Sequence, residues 1–411
     1  MLLPAQWLET TIPVGDEPSA LVWNSNDNKV YCANFGSSNV TVIDGTNNAI
    51  ITTIGISYGS GALVYSAEYS KIYCASLWSN RVTVIEGASD SIIATIEVDT
   101  MPIALICNNV QGNNKIYCAN FWNDNVMAID GFGDTVIATV PVGDGPWALV
   151  HNSTDDKVYS ANVNSDDITV ITGVGDTVIT TIPVGDELRA LVWNALGNKV
   201  YCTSWGTDEV IVLDGSLDTI ITTISVVHGP HALVWNSHEN KVYCTNGESD
   251  AVTVIDGVGD TVITTVPVGD GPFALVYNST NNKVYCANRN GDDVTIIDCA
   301  ADTVVTTITV RDEPAAFAWN SFQNRTYVAN IGSDSVSVIC DFTFIEEKKL
   351  KGATHMEFSP TVLHGPLQLP EGKQCKVFDI MGRVVEPGKV ARGIYFIAAD
   401  DRIVRKVIKV R

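Results

Sequence analysis

The chain has 411 residues, with 47 Asp and Glu against 25 Lys and Arg, a net charge of −22. That length supplies ample material for a large core plus a second small domain, and so acidic a surface repels nucleic acid and anionic lipid, so no nucleic-acid partner is expected. Apolar residues make up 45% of the chain but in no run long enough to span a membrane, so no membrane-spanning segment is expected.

Residues 1–8 (MLLPAQWL) lack the basic start and apolar stretch of a secretory signal. Residues 7–14 (WLETTIPV) instead match a run that recurs later, as TVITTVPV at 261–268. From there to about residue 345 the chain repeats a 42-residue unit, seen cleanly at 269–310. Four β-prone runs lie in that copy: ALVYN (274–278), KVYCAN (283–288), DVTIID (293–298) and TVVTTITV (303–310). They are rich in Val, Ile, Thr and Tyr, alternate rather than follow a helical period, and are punctuated by Asn, Asp and Gly. Hairpin-sized connections predict a four-stranded antiparallel meander.

One such sheet cannot bury its own faces and must stack on copies of itself. The tyrosine of the second run counts the copies: Tyr31, Tyr73, Tyr117, Tyr159, Tyr201, Tyr243, Tyr285 and Tyr327, eight in all. Only the step from Tyr73 to Tyr117 is longer, by two residues near 109–114. A four-stranded repeat of this period predicts an all-β, eight-bladed β-propeller, with a seven-bladed ring and a spare unit as the alternative. KVYCAN, DAVTVIDG and TVITTVPVGDGPFALV resemble the YVTN-type β-propeller repeats of surface-layer and related extracytoplasmic proteins, over about four-fifths of the chain. That resemblance implies fold and leaves function open, since propellers host binding proteins, scaffolds and enzymes.

The last unit supplies three runs, at 316–320, 325–330 and 335–340, but no clear fourth. The simplest closure pairs residues 7–14 with 335–340, completing the eighth blade from both chain ends and removing the open edges; FTFI (342–345) competes for that place. The propeller is thus expected over 1–345. A charged linker, EEKKLKG, follows at 346–352, and a small β-sandwich over 353–411, with alternating stretches at 355–358, 367–369, 376–380, 393–398 and 403–410. Beyond residue 347 there are 13 Lys and Arg against 6 Asp and Glu, which leaves −29 on residues 1–347. FSPTVLHGPLQL, KVFDIMGRVVE, ARGIYFI and the terminal RKVIKVR resemble the C-terminal sorting domain of type IX secretion substrates. The resemblance implies a secreted or cell-surface protein with the secretion machinery as a partner, and the missing signal departs from that pattern.

Comparison of the copies separates fixed from variable positions. The lysine opening the second run recurs from Lys29 to Lys283, then as Arg325, and reads as a solvated strand start. The residue before the first-run alanine varies as Ser19, Gly61, Ile103, Trp147, Arg189, His231, Phe273 and Ala315. The residue after the second run varies as Phe35, Leu77, Phe121, Val163, Trp205, Gly247, Arg289 and Ile331, with Trp78 and Trp122 next in their loops. In an antiparallel blade these positions emerge on one face, and mixed aromatic and arginine loops suit recognition. The candidate ligand-binding residues are therefore Trp147, Arg189, Trp205, His231, Phe273, Arg289, Phe121, Trp122 and Trp78, for a glycan, peptide or surface protein, with the arginines available to carboxylates or sulfates. Packing of these rings between blades or into the channel is the competing reading.

Repeated aspartates (Asp44, Asp130, Asp214, Asp256, Asp298; Asp16, Asp144, Asp186, Asp270, Asp312) fit Asx turns better than a Ca²⁺ loop. Six of the ten cysteines (Cys32, Cys74, Cys118, Cys202, Cys244, Cys286) share one repeat position, too far apart between blades to bridge, and read as buried core residues. The histidines do not recur in register; His228 and His231 flank a Gly-Pro turn. No catalytic constellation, metal-ligand spacing or cofactor motif stands out. The expected function is a non-enzymatic binding or scaffold module. The alternatives are a lyase or hydrolase at the channel mouth, marked by His231 clustering with Arg189 and acids, and a structural surface-layer component, marked by a plugged channel and an apolar lateral patch.

Overall fold

A computed structural model describes residues 6–108, 110, 113–341, 361–363, 375–379, 384–386, 393–399 and 402–409. The chain divides into two compact units, Pro4–Thr343 and Met1–Leu3 with Phe344–Arg411. The first is an eight-bladed β-propeller of four-stranded antiparallel sheets. Blade 1 comprises Pro18–Asn24, Lys29–Asn34, Asn39–Asp44 and Ile50–Gly55. The first strands of the following blades begin at Ser60, Pro102, Pro146, Leu188, Pro230, Pro272 and Pro314. Each first strand packs on the first strands of its neighbours, so these strands are innermost. The second and third strands are almost wholly buried, and the fourth strands form the outer edge.

Blade 8 closes from both ends of the chain. Gln6–Pro13 pairs antiparallel with Ser335–Asp341, the outer member of Pro314–Asn320, Arg325–Asn330 and Ser335–Asp341. The ring therefore has eight blades and no spare unit; the competing FTFI segment lies outside the described residues. Asp334 Oδ1 accepts from the Glu17 N–H at 2.9 Å, and Tyr327 donates to Asn48 Oδ1 at 2.7 Å, so the seam between blades 8 and 1 is tied on both faces.

The eight tyrosines are fully buried and, with Val, Ile and Cys of adjacent second and third strands, make the cores between blades. The six repeated cysteines are free and buried, as expected, and burial pushes their thiols up.

The repeated lysine corrects the sequence reading. It is not a solvated strand start: Lys199 reaches the next blade, with Nζ 2.6 Å from Asp260 Oδ2, and its side chain is 15% exposed. The same carboxylate accepts Tyr201 OH at 2.6 Å. Asp90, Asp134, Asp176, Asp218 and Asp302 repeat this lock with Lys29, Lys71, Lys115, Lys157 and Lys241. Lys and Tyr are adjacent on one face of the second strand, and the turn after the next third strand brings the Asp between them.

The fourth strands expose pairs such as Ile92–Ile93, Ile179 with Val178, and Ile220–Ile221. The second of each pair has no register partner, because a bulge interrupts the edge strand there. Such bulges bend an edge away from strand-to-strand pairing.

In the C-terminal unit, Thr361–Leu363, Cys375–Asp379, Val384–Val385, Gly393–Ala399 and Arg402–Lys409 make one five-stranded sheet, in which the first strand runs parallel to the last. The expected strands near 376–380, 393–398 and 403–410 correspond to members of this sheet. Those at 355–358 and 367–369, and the linker at 346–352, lie outside the described residues.

Candidate functional site

The mouth face is formed by the loops joining second to third strands and those leading into first strands. Its geometry begins with a bulge. In blade 4, Pro146 pairs with Asn162 and Ala148 with Ala161, so Trp147 has no register partner; in blade 7, Phe273 is skipped in the same way. In blades 5 and 6 the skipped residues include Arg189 and His231. The variable position is thus the extra residue of a bulge on the innermost strand. A bulge re-aims a side chain without altering the ladder on either side, so this position tolerates Ser, Trp, Arg, His or Phe. It also explains why first strands begin two residues before the alanine taken as their start.

Two residues upstream the chain turns through the left-handed region, at Glu17, Gly59, Met101, Gly145, Glu187, Gly229, Gly271 and Glu313. Four blades use glycine there, whereas Glu187 (φ 51°) and Glu313 (φ 55°) adopt a conformation costing about 1–2 kcal/mol. The carbonyl of this residue accepts the N–H of the second variable position, as in Trp205 N to Glu187 O (3.0 Å) and Arg289 N to Gly271 O (2.9 Å). The two variable positions of a blade are therefore held side by side. An aspartate of the preceding blade holds the turn: Asp166 Oδ1 accepts from Glu187 N–H at 3.3 Å, and Asp292 Oδ1 from Glu313 N–H at 3.0 Å.

Eight of the nine candidate residues join in an arc over blades 3 to 7. Trp122 meets Phe121 edge-on at 4.9 Å, and Phe121 meets Trp147 at 5.9 Å. The Arg189 guanidinium lies 5.6 Å from the Trp147 ring and 5.7 Å from the Trp205 ring. His231 stacks on Phe273 at 4.3 Å, and Arg289 lies over Phe273 at 5.1 Å. Trp78 stands apart on blade 2, beside Gly59.

The arc contains two cavities. One, of about 430 Å³, is lined by Phe121, Trp147, Val163, Asn164, Asp166, Asp186, Glu187 and Arg189. The other, of about 180 Å³, has Trp205, His231, Phe273 and Arg289 around Gly229, Gly247 and Gly271. Both arginines already have internal carboxylates: Arg189 Nη2 is 2.7 Å from Glu187 Oε2, and Arg289 Nη2 is 2.8 Å from Glu313 Oε2. The expectation that they stand available to a ligand's carboxylates or sulfates does not match this geometry. The sequence reading passed over Glu187, although glutamate where other blades carry glycine marks it.

His231 lines the smaller cavity and Arg189 the larger, and both Arg189 and Arg289 lie close enough to His231 to act on its charge. His231 Nδ1 is 3.0 Å from the Phe273 carbonyl, which fixes the proton on Nδ1. Burial lowers its pKa, with help from Arg189 and Arg289, so the ring is neutral near pH 7. Among the described residues no three His, Cys, Asp or Glu side chains converge as a metal cage requires. The repeated aspartates that end third strands form Asx turns: Asp214 Oδ1 accepts from Ser216 and Leu217 N–H, both at 2.9 Å.

The opposite end of the channel carries a second ring that the sequence reading missed: Trp23, Tyr65, Cys107, His151, Trp193, Trp235, Tyr277 and Trp319, each preceding the terminal residue of a first strand. Several are tied to their own turn: Trp193 Nε1 donates to Asn198 at 3.2 Å and Trp235 Nε1 to Asn240 at 3.1 Å. At the mouth, no hydrogen bond among the described residues uses the indole N–H of Trp122, Trp147 or Trp205.

No protein-family model and no curated protein matches the chain. Among solved structures it is similar to the hydrazine synthase of Kuenenia stuttgartiensis, at 16% identity over 81% of this chain and 97% of that one, with a TM-score of 0.57. It is also similar to the dihydro-heme d1 dehydrogenase NirN in complex with DHE, at 14% identity over 82% and 75%, with a TM-score of 0.65. Sqt1 of Saccharomyces cerevisiae gives 11% identity over 82% and 100%, with a TM-score of 0.72. At such identities the likeness is one of fold, the β-propeller, and these neighbours include enzymes.

Proposed function

We propose that this chain is an exported, non-enzymatic binding module whose ligand, a peptide, glycan or surface protein, is held at the mouth between blades 3 and 7. The observation that carries the reading is the contrast between the two ends of the channel. Trp23, Trp193 and Trp235 at one end spend their indole N–H groups on their own turns and Trp319 has its donor buried, whereas Trp122 and Trp205 at the other are 62% and 36% exposed with that donor unspent. An indole with an exposed face and a free donor combines stacking with hydrogen bonding at low entropic cost, the pattern of binding hot spots. A glycan and peptide array probed with the full-length protein tests this. Ligands captured by the wild type are expected to be lost from Trp147→Ala and Trp205→Ala, at a cost of about tenfold or more. Undiminished capture by both variants, or a blank array, overturns it.

Export rests on the likeness of residues 353–411 to type IX sorting domains, and the extracytoplasmic setting on the likeness of the repeats to YVTN-type propellers. A periplasm-targeted reporter carrying residues 353–411 is expected to reach the surface or medium of a bacterium with that secretion system, but not of a strain lacking it. Periplasmic retention in both strains overturns the sorting role.

A further inference from the structure

We propose that the larger cavity, between blades 4 and 5, is a receptor for a basic side chain, and that the ligand is a peptide segment presenting Arg or Lys beside an apolar or aromatic residue. This rests on the mouth being a recognition site and adds the sign and class of what it recognises. Three carboxylates line the cavity, those of Asp166, Asp186 and Glu187, against the single guanidinium of Arg189. Glu187 already answers that guanidinium at 2.7 Å. The Asp186 carboxylate has no hydrogen bond or ion pair among the described residues, and its residue is exposed. Its backbone is committed instead, the carbonyl accepting from Gly206 N–H at 3.1 Å and Ser204 Oγ at 2.7 Å, so the side chain is held at the mouth by its main chain.

The mouth already holds one cation in the manner proposed. Arg189 lies within cation–π range of both Trp147 and Trp205, with Glu187 closing the pair. The remaining wall, Phe121 edge-on to Trp147, offers a ligand cation an aromatic neighbour, and Asp186 offers it a counter-charge. An acidic ligand would meet the reverse: a cavity with net charge −2 on a propeller whose total is strongly negative, with both nearby arginines occupied. The adjoining cavity fits the neighbouring side chain. It has no carboxylate in its wall, a floor of Gly229, Gly247 and Gly271, and the rings of Trp205, Phe273 and neutral His231. An aromatic or aliphatic group fills such a space by stacking.

The test uses four labelled peptides of the pattern Gly-X-Trp-Gly, with X as Arg, Lys, citrulline or Glu, titrated into the full-length protein. Citrulline keeps the shape of arginine without its charge. The Arg and Lys peptides are expected to bind about tenfold more tightly than the citrulline peptide and the Glu peptide most weakly. The preference should fade as salt rises from about 0.01 M to about 1 M, where the Debye length falls from about 30 Å to about 3 Å. Asp186→Asn is expected to remove most of the preference, whereas Asp312→Asn, the same change of net charge at the equivalent position of blade 8, leaves it intact. Equal or tighter binding of the citrulline or Glu peptide overturns the proposal. If Trp147→Ala still abolishes that binding, the mouth stands as a recognition site without this polarity; if Trp147→Ala changes nothing, the recognition site falls too. No binding of any of the four overturns the basic-peptide assignment, and the array result then decides the mouth independently.

Discussion

Asp260→Ala is expected to lower the unfolding free energy by about 3–5 kcal/mol, the cost of removing one partner from a buried ion pair. The carboxylate stands at the interface of blades 5 and 6 with only 8% of its side chain exposed, 2.6 Å from Lys199 Nζ and 2.6 Å from the hydroxyl of fully buried Tyr201. Its loss strands both donors, one of them charged. The carbonyls of Gly257 and Val258 still accept from Lys199, so the ammonium keeps part of its shell, while the Tyr201 hydroxyl keeps no acceptor among the described residues. Asp260→Asn retains an acceptor and loses the charge, and is expected to cost about 1–3 kcal/mol. Blades 7 and 8 supply the control, because the sequence position equivalent to Asp260, four residues past the third-strand residue that pairs with the opening Lys or Arg of the second strand, is Phe344 and not an aspartate. There the buried Tyr285 hydroxyl has no partner among the described residues, and Tyr285→Phe is expected to be neutral or stabilising. Denaturant midpoints and slopes for the four proteins check this. A loss below about 1 kcal/mol for Asp260→Ala would show that the lock contributes little beyond packing.

The ring was legible in the sequence because its packing positions must recur in every blade. Tyr31 to Tyr327 mark the period, and residues 7–14 match a fourth strand closely enough to place the closure within one residue of Gln6–Pro13. Contacts between blades were not legible. Lys199 meets an aspartate 61 residues ahead, farther than one repeat, so comparing copies shows that both recur without showing that they touch. The bulge was hidden for another reason: Pro-X before the alanine read as loop, and only the register reveals an extra strand residue at Trp147. The variable positions nevertheless pointed to the mouth, since a bulge residue is free of the ladder and can vary. The pairing of the mouth arginines was hidden in the sequence. Arg189 and Arg289 read as free cations because Glu187 and Glu313 lie on turns whose direction depends on left-handed backbone at a residue other than glycine.

Asp341→Asn is expected to stabilise the protein by about 1–3 kcal/mol at pH 8 and not at pH 4. Asp341 occupies the position that glycine holds after the third strand of blades 1 to 6, at the seam where blade 8 is completed by the N-terminal strand. It is 4% exposed and accepts from Asn278 Nδ2 at 3.2 Å, while Oδ1 has no partner within hydrogen-bond distance among the described residues. Burial pushes its carboxyl from 3.8 up to about 6, and nearby Gln6, Lys283, Asn278 and Asn281 offset that only in part. The folded chain thus holds a proton that the unfolded chain releases between those two values. Because the native state binds more protons there, stability falls as pH rises from about 4 to about 6, and the full cost persists above that range. Asparagine keeps an acceptor for Asn278 and removes the ionisation. The difference between variant and wild-type unfolding free energies should therefore open across that window, while titrations common to both chains cancel. A variant less stable than wild type at pH 8 would mean that Asp341 is ionised and paired with Lys283 across the seam, making this interface a seventh form of the lock rather than its gap.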